Sequence, residues 1–164
     1  MKKIHHALML ITAITLGACT EQKTEEALLT AVAIEKADEC HLCGMIIEGF
    51  AGPKGAVTHK TENTPRKFCS TRDMFAYYLD PEHKRNVKQL LVHDMSQVPW
   101  DMPDDELYID AKSAWFVVGS NQSGAMGSTL ASFAEKKVAD AFASKYGGNV
   151  YSFDGITTDL INQF

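Results

Sequence analysis

The sequence of 164 residues contains little clustered positive charge and no long apolar segment. No group of Lys and Arg exceeds three residues, and the formal net charge is −5. Proteins that bind nucleic acid usually need basic clusters to neutralise phosphates. The main apolar run, residues 7–16, is shorter than the roughly 20 residues of a transmembrane helix. These absences argue against a nucleic-acid partner and against an ordinary membrane-spanning segment.

The amino terminus has the features of a lipoprotein signal peptide. Two lysines precede the apolar run, an order typical of secretory signals. The run ends in Leu16-Gly17-Ala18-Cys19, which resembles the cleavage motif of bacterial lipoproteins. We therefore predict a signal peptide over residues 1–18, lipidation of Cys19, and a polar tether over residues 19–35. Thr20, rather than Asp, follows the cysteine and favours the outer membrane, with the domain facing the periplasm.

Lipidation of Cys19 leaves an odd number of cysteines. Cys40, Cys43 and Cys69 remain in a compartment where structural cysteines usually pair. At least one thiol must then stay free or bind a ligand. Coordination of a soft metal ion is the simplest way to protect an exported thiol.

The densest group of metal-ligand side chains is the hexapeptide Cys40-His41-Leu42-Cys43-Gly44-Met45. Thiolate, thioether and imidazole are the ligand types that suit Cu(I). Gly44 permits a tight turn that can aim the sulfurs inward. The spacing of the two cysteines leaves open a zinc site, a thiol redox pair and buried structural thiols. The thioether of Met45 favours copper, because zinc and redox sites have no need of one.

Hydrophobic patterning predicts several short strands and two longer helices. One helix is expected from an N-cap at Ser70 or Thr71 to Leu79. Another is expected from Thr129 or Ser132 to Tyr146, closed by Gly147, after a glycine-rich loop over residues 119–127. The predicted strands cover residues 32–34, 45–47, 56–60, 66–69, 87–92, 107–109, 114–118 and 150–153.

The predicted elements fall into two groups with the same order. Each group contains strand, strand, helix and strand, over about residues 43–95 and 107–160. We therefore predict an α+β fold in which two ββαβ units form the domain 36–164. Each unit is too small to bury much core alone, so the two units should pack together.

Short motifs spread over nearly the whole chain carry a resemblance to a known family. They are the lipoprotein box, the hexapeptide, and residues 52–55, 67–74, 92–95, 114–120, 124–127 and 147–148. Their order resembles that of the NosL family, copper-binding accessory lipoproteins of nitrous oxide reductase. The resemblance implies Cu(I) binding and delivery to the Nos maturation machinery, including its ABC-type transporter complex, or to apo nitrous oxide reductase. It also implies a fold similar to part of the organomercurial lyases.

The family's metal motif maps onto Cys43 and Met45. Cu(I) favours two or three ligands, so one further side chain could complete the site. His41 is the first candidate because it is close in sequence, and Met126 is the second because its glycine-flanked loop could reach across from the other unit. The remaining candidates are His93 and Met95.

Several alternatives remain open from the sequence. Cys40 could be a spare thiol, a redox partner of Cys43 or a further ligand, whereas Cys69, before a helix, is expected to be mainly a buried thiol. A carrier of copper transforms no substrate, so no enzymatic activity is expected. The competing hypotheses are a thiol-disulfide oxidoreductase using Cys40 and Cys43, a structural zinc site using Cys40, Cys43, Cys69 and a histidine, and a carbon–mercury lyase.

Overall fold

The computed structural model describes residues 32–103 and 107–163. The predicted signal peptide, the predicted lipidation site Cys19 and most of the predicted tether lie outside these residues. No helix within the two described ranges is both long enough and apolar enough to span a bilayer.

The first sheet is antiparallel, and its strands are β1 (Gly55–His59), β2 (Arg66–Phe68), β3 (Val87–His93) and β4 (Tyr108–Asp110). Their order in the sheet is β2-β1-β3-β4. β1 pairs with β2 on one side and with β3 on the other, and β4 extends the sheet beyond β3. The interior of this sheet is apolar, since Val57, Leu90 and Val92 are fully buried.

The helix predicted after Ser70 is confirmed as α1 (Thr71–Tyr78). The Ser70 side chain accepts a hydrogen bond from the backbone N–H of Asp73, which satisfies one of the helix's free donors. A short helix, α2 (Pro81–Lys84), follows at once. Pro81 starts this second helix because the first turn of a helix has no need of its missing N–H.

The second sheet is also antiparallel, and its strands are β5 (Trp115–Val118), β8 (Ala131–Phe133) and β9 (Asn149–Ser152), in the order β8-β5-β9. The helix α3 (Lys136–Tyr146) lies between β8 and β9 in the chain. The prediction that this helix begins at Thr129 or Ser132 is wrong. Pairing with β5 buries Ala131 and Phe133 almost completely, which favours the strand over an earlier helix start. Gly147 closes α3, as predicted, with a positive φ of 79°.

The glycine-rich loop contains a two-stranded hairpin that the sequence did not predict. β6 (Ser123–Gly124) pairs with β7 (Gly127–Ser128), and Ala125 and Met126 form the tip. The chain ends in a 3₁₀ turn (Phe153–Gly155) and α4 (Thr158–Ile161).

The two sheets share one arrangement. In each, the first strand is central, the second strand lies on one side, and the strand that follows the longer helix lies on the other. β4, which was expected to open the second unit, instead pairs with β3 of the first sheet. The predicted mixture of helices and strands is thus confirmed, and the sheets are antiparallel. The likeness to organomercurial lyases stays a prediction.

The two units share one hydrophobic core. Phe75 of α1 packs edge-on against Phe116 of β5, with ring centroids 5.0 Å apart. A second link is polar, since the Thr71 hydroxyl donates to Leu130 O at 2.5 Å and lies 3.1 Å from Thr129 Oγ1. These contacts hold the start of α1 against the base of the β6–β7 hairpin.

Two predicted strands are wrong. Residues 32–34 form no strand; Val32 is instead buried with Ala56, Leu91 and Tyr108, and the Ala33 carbonyl accepts a hydrogen bond from Lys67 Nζ. Residues 45–47 contribute only an isolated bridge between Ile46 and Glu39.

Candidate metal centre

The hexapeptide forms a compact loop closed at both ends. The Glu39–Ile46 bridge joins the flanking residues, and Cys40 N donates to Met45 O at 2.7 Å. Within the loop, Gly44 N donates to Cys40 O at 2.8 Å, and Gly44 has a φ of 74°. This left-handed conformation favours glycine, as the sequence indicated.

A backbone hydrogen bond joins the loop to the first sheet. His41 N donates to Lys67 O at 2.8 Å, so the loop lies beside β2. Cys69 follows β2 directly, and Asp73 lies four residues later in the first turn of α1. The fold therefore brings the end of β2 and the start of α1 against the two cysteines of the loop.

Three thiols and one carboxylate meet at this junction. One ligand atom from each of Cys40, Cys43, Cys69 and Asp73 lies within 4.8 Å of all the others. Cys43 Sγ lies 3.6 Å from Cys69 Sγ, and Asp73 Oδ2 lies 3.2 Å from Cys69 Sγ and 3.7 Å from Cys40 Sγ. Cys40 and Cys69 are buried, whereas Cys43 is exposed. The group, here named the thiol cluster, thus opens to solvent through Cys43.

Hydrogen bonds favour a negative charge on the buried sulfur of Cys40. The Cys69 thiol and the backbone N–H groups of Cys69, Cys43 and Leu42 lower the pKa of Cys40 to about 4, against the effect of burial. Donation to Cys40, together with burial and the nearby Asp73, raises the pKa of Cys69. Burial likewise raises the pKa of Cys43.

Burial also raises the pKa of the Asp73 carboxyl. The carboxylate shares a small volume with the Cys40 sulfur, so two negative charges would repel each other there. A bound cation would relieve this repulsion. The thiol cluster therefore has the composition of a site for a thiophilic metal ion.

The predicted ligands next to the thiol cluster occupy different environments. Met45 is half-buried and packs against the main core. His41 is exposed and lies outside the group of four ligand residues, with Nε2 3.2 Å from Arg66 Nη1. Met126 is 50% exposed at the tip of the β6–β7 hairpin. The hydrogen bond between Thr71 and Thr129 holds the base of that hairpin near the start of α1.

The two remaining candidates are both buried. His93 is fully buried, its Nδ1 accepts a hydrogen bond from Lys54 N, and its ring contacts Tyr108. Met95 packs in a smaller, separate hydrophobic cluster with Val117 and Ala131. Among the described residues, His93 does not join the thiol cluster.

Sequence reasoning missed Asp73 as a possible ligand and gave Cys69 little weight. The sequence did contain a signal that Cys69 and Asp73 could act together. They are four positions apart at the start of a helix, and both lie in the motif of residues 67–74. The sequence alone did not reveal that β2 runs alongside the hexapeptide, which is what places Cys69 near Cys43.

Comparison with known proteins identifies the family. A sequence profile of the NosL family matches residues 31–161. The chain is 44% identical over 156 residues to the copper-binding lipoprotein NosL of Stutzerimonas stutzeri, covering 95% of this chain and 81% of the relative. It is 29% identical over 162 residues to the copper-binding lipoprotein NosL of Achromobacter cycloclastes, covering 97% and 83%.

Solved structures agree with the sequence comparison. The crystal structure of the copper chaperone NosL from Shewanella denitrificans superposes with a TM-score of 0.76 at 54% identity, covering 77% of this chain and 95% of that one. The solution structure of apo-NosL from Achromobacter cycloclastes gives a TM-score of 0.50 at 31% identity, covering 65% and 87%. The thiol cluster therefore lies in a protein that belongs to the NosL family.

Proposed function

We propose that the protein is a lipid-anchored Cu(I) chaperone that delivers copper for assembly of nitrous oxide reductase. The observation that carries this proposal is the thiol cluster, in which exposed Cys43 lies beside buried Cys40 and Cys69. Sulfur ligands suit Cu(I), and the exposed sulfur gives an incoming ion a point of entry. The relatives described as copper-binding lipoproteins and as a copper chaperone support the same reading.

In this proposal Cys43 is the anchoring ligand and Met45 the second. Cys43 is exposed, and Met45 lies two residues away on a loop whose turn is fixed by Gly44. Met126 and His41 are the candidates for a third ligand. Met126 is favoured by its exposed position on a hairpin that is linked to α1, whereas His41 must first leave Arg66.

The mechanism requires capture, holding and release, with no change to a substrate. Cys43 loses its proton when the ion binds, and neutral ligands complete a low-coordinate site. An acceptor can then attack the ion from the exposed side and replace the ligands one at a time. Buried Cys40 and Cys69 limit access from the inner side, so exchange is directed outward.

The lipid anchor and the partner complete the proposal. Cys19, predicted to carry lipid, would hold the domain on the periplasmic side of the cell envelope, at the outer membrane. Confinement to a membrane surface raises the effective concentration of a partner. The proposed acceptors are the Nos maturation machinery, with its ABC-type transporter complex, and apo nitrous oxide reductase.

A test in cells separates delivery from mere binding. Nitrous oxide reductase is purified from a denitrifying strain that lacks the chaperone and makes either this protein, its Cys43→Ser variant or its Cys19→Ala variant. We expect full copper content with the wild type, strong loss with Cys43→Ser, and an intermediate value with Cys19→Ala. Full copper content with Cys43→Ser would contradict the proposal.

The geometry also favours a second candidate, a zinc site. Three of the six separations among the sulfurs and the carboxylate oxygen are 3.2, 3.6 and 3.7 Å. These three are close to the edges of a tetrahedron around Zn²⁺, whose bonds to sulfur are about 2.3 Å. The fourth ligand would be Asp73 and not the histidine that the sequence suggested, since among the described residues the group contains no histidine. Unfolding on treatment with a zinc chelator would support a structural zinc ion.

A further inference from the structure

The hydrogen bond between Arg66 and His41 determines which lone pairs the imidazole can offer. Arg66 Nη1 lies 3.2 Å from His41 Nε2. A guanidinium carries only donors, so Nε2 must be the acceptor, and a neutral imidazole then carries its proton on Nδ1. In this arrangement one ring nitrogen is engaged and the other is protonated. His41 therefore presents no free lone pair to a metal ion.

Arg66 is itself held in place on two sides. Its Nε and Nη2 donate to the two carboxylate oxygens of Glu62 at 3.1 and 2.6 Å. Its Nη1 also donates to the Tyr77 hydroxyl. That hydroxyl lies 3.0 Å from His59 Nε2 and, since it accepts from Arg66, can donate to that nitrogen. Because Arg66 can only donate, it sets the donor and acceptor roles of His41, Tyr77 and His59 in this network.

Aromatic contacts restrict the orientation of the His41 ring. The ring packs edge-on against Phe68 and Tyr77, with centroids 5.9 and 5.3 Å away. The backbone N–H of His41 bonds to Lys67 O, and Cys40 precedes it. The imidazole is therefore adjacent to the thiol cluster in the chain but is held toward β2.

Open space beside the ring would let it move. A cleft of about 380 Å³ is lined in part by His41, Glu62 and Arg66. His41 is also exposed. Rotation away from Arg66 would therefore cost the hydrogen bond and the ring contacts, with no core residue to displace.

We propose that Arg66 is a positioning residue that keeps the His41 imidazole off the copper ion. This inference rests on the proposed function, because it assumes that Cu(I) binds through Cys43. Copper can recruit His41 only by breaking the bond to Arg66 and freeing a nitrogen lone pair. Arg66 thus keeps the coordination number of the ion low, which leaves it ready for transfer, and removal of Arg66 should add a nitrogen ligand.

Two substitutions of similar length test the proposal. Arg66→Met removes every donor, whereas Arg66→Lys keeps one donor that can reach His41. The first readout is ¹⁵N NMR of the imidazole in metal-free protein. We expect Nδ1 to be protonated in the wild type and in Arg66→Lys, and a mixture of tautomers in Arg66→Met. A proton on Nε2 of wild-type His41 would overturn the proposal.

The second readout is Cu(I) affinity in a double-mutant cycle with His41→Ala. Arg66→Met should tighten Cu(I) binding by about five- to tenfold, because copper no longer has to break a hydrogen bond to reach His41. It should also add a nitrogen neighbour in X-ray absorption spectra. Neither change should occur when His41 is Ala. Equal affinity in the wild type and Arg66→Met, or a gain that persists in His41→Ala, would overturn the proposal.

The two readouts separate this inference from the proposed function. If the wild type binds no Cu(I) while its Nδ1 is protonated as expected, the proposed function fails and the role of Arg66 fails with it. If Cu(I) binds tightly and Arg66→Met changes neither tautomer nor affinity, only the role of Arg66 is overturned. Thermal unfolding of each variant shows whether the domain stays folded.

Discussion

Cys43 and Cys69 are 26 positions apart in the sequence, yet their sulfur atoms lie 3.6 Å apart. The contact depends on the hydrogen bond from His41 N to Lys67 O, which lays the hexapeptide loop along β2. The sulfur contact joins exposed Cys43 of the loop to buried Cys69, which lies just before α1. Any ion held by Cys43 therefore lies next to a second thiol and, through it, to Asp73.

Asp73 should distinguish zinc from copper. A carboxylate is a harder ligand than a thiolate and suits Zn²⁺ better than Cu(I). We expect Asp73→Ala to weaken Zn²⁺ binding by roughly tenfold or more and to change Cu(I) affinity by less than about threefold. Competition titrations with both ions measure this. Equal losses for the two ions would show that the carboxylate serves both.

Thr71 should couple the two units. Its hydroxyl donates to Leu130 O and lies 3.1 Å from Thr129 Oγ1, and both threonines are buried. Thr71→Val keeps the shape but leaves the Leu130 carbonyl without this donor. We expect a loss of about 1–3 kcal/mol in the free energy of unfolding, measured with urea. Thr71→Ser, which keeps the hydroxyl, is the control and should lose clearly less.

Gly55 should tolerate no side chain. A Cβ added there would lie 2.7 Å from Met74 Sδ and 2.8 Å from Met74 Cβ. The second atom is fixed to the backbone of α1, so the helix itself would have to shift. We expect Gly55→Ala to lower the free energy of unfolding by about 1–3 kcal/mol. Wild-type stability in this variant would show that β1 and α1 are less tightly packed than the structure indicates.

His93 should make the protein sensitive to mild acid. Burial, with a contribution from Lys54, lowers the pKa of His93 from 6.5 to about 3. The unfolded chain therefore binds a proton that the folded chain does not, and stability falls as pH drops below 6.5. Between pH 7 and 4.5 this group alone should remove about 2.5 kcal/mol.

A matched variant isolates the histidine from other titrating groups. His93→Asn keeps an acceptor near the position of Nδ1, which accepts from Lys54 N, but does not titrate. Its loss of unfolding free energy between pH 7 and 4.5, followed with urea, should be smaller than that of the wild type by about 2.5 kcal/mol. An identical loss in both proteins would show that His93 binds its proton as readily when folded.

Local sequence signals predicted the parts of the fold that depend on neighbouring residues. The cap at Ser70, the helix that follows and the glycine that closes α3 all have such signals. β8 was misread as helix because three residues carry too little pattern, and their strand geometry comes from pairing with β5. β4 was assigned to the wrong unit because only its partner strand decides where it belongs.

The site divides in the same way. The hexapeptide with Cys40 and Cys43 could be read from its spacing, and the turn at Gly44 followed from it. Cys69 and Asp73 join these cysteines only through long-range contacts, which no local pattern contains. The hydrogen bond between Arg66 and His41 could not be predicted either, because 25 positions separate the two residues in the sequence.

The central claim is that Cys43 binds Cu(I) at the edge of the thiol cluster. The most direct measurement is a competition titration with a chromophoric Cu(I) chelator under reducing conditions, on the chain from residue 20 onward and on its Cys43→Ser and Cys69→Ser variants. We predict one tightly bound Cu(I) per chain, lost in Cys43→Ser by roughly a hundredfold or more in affinity, with a smaller loss in Cys69→Ser. Failure of the wild type to compete, or equal affinity in Cys43→Ser, would contradict the claim.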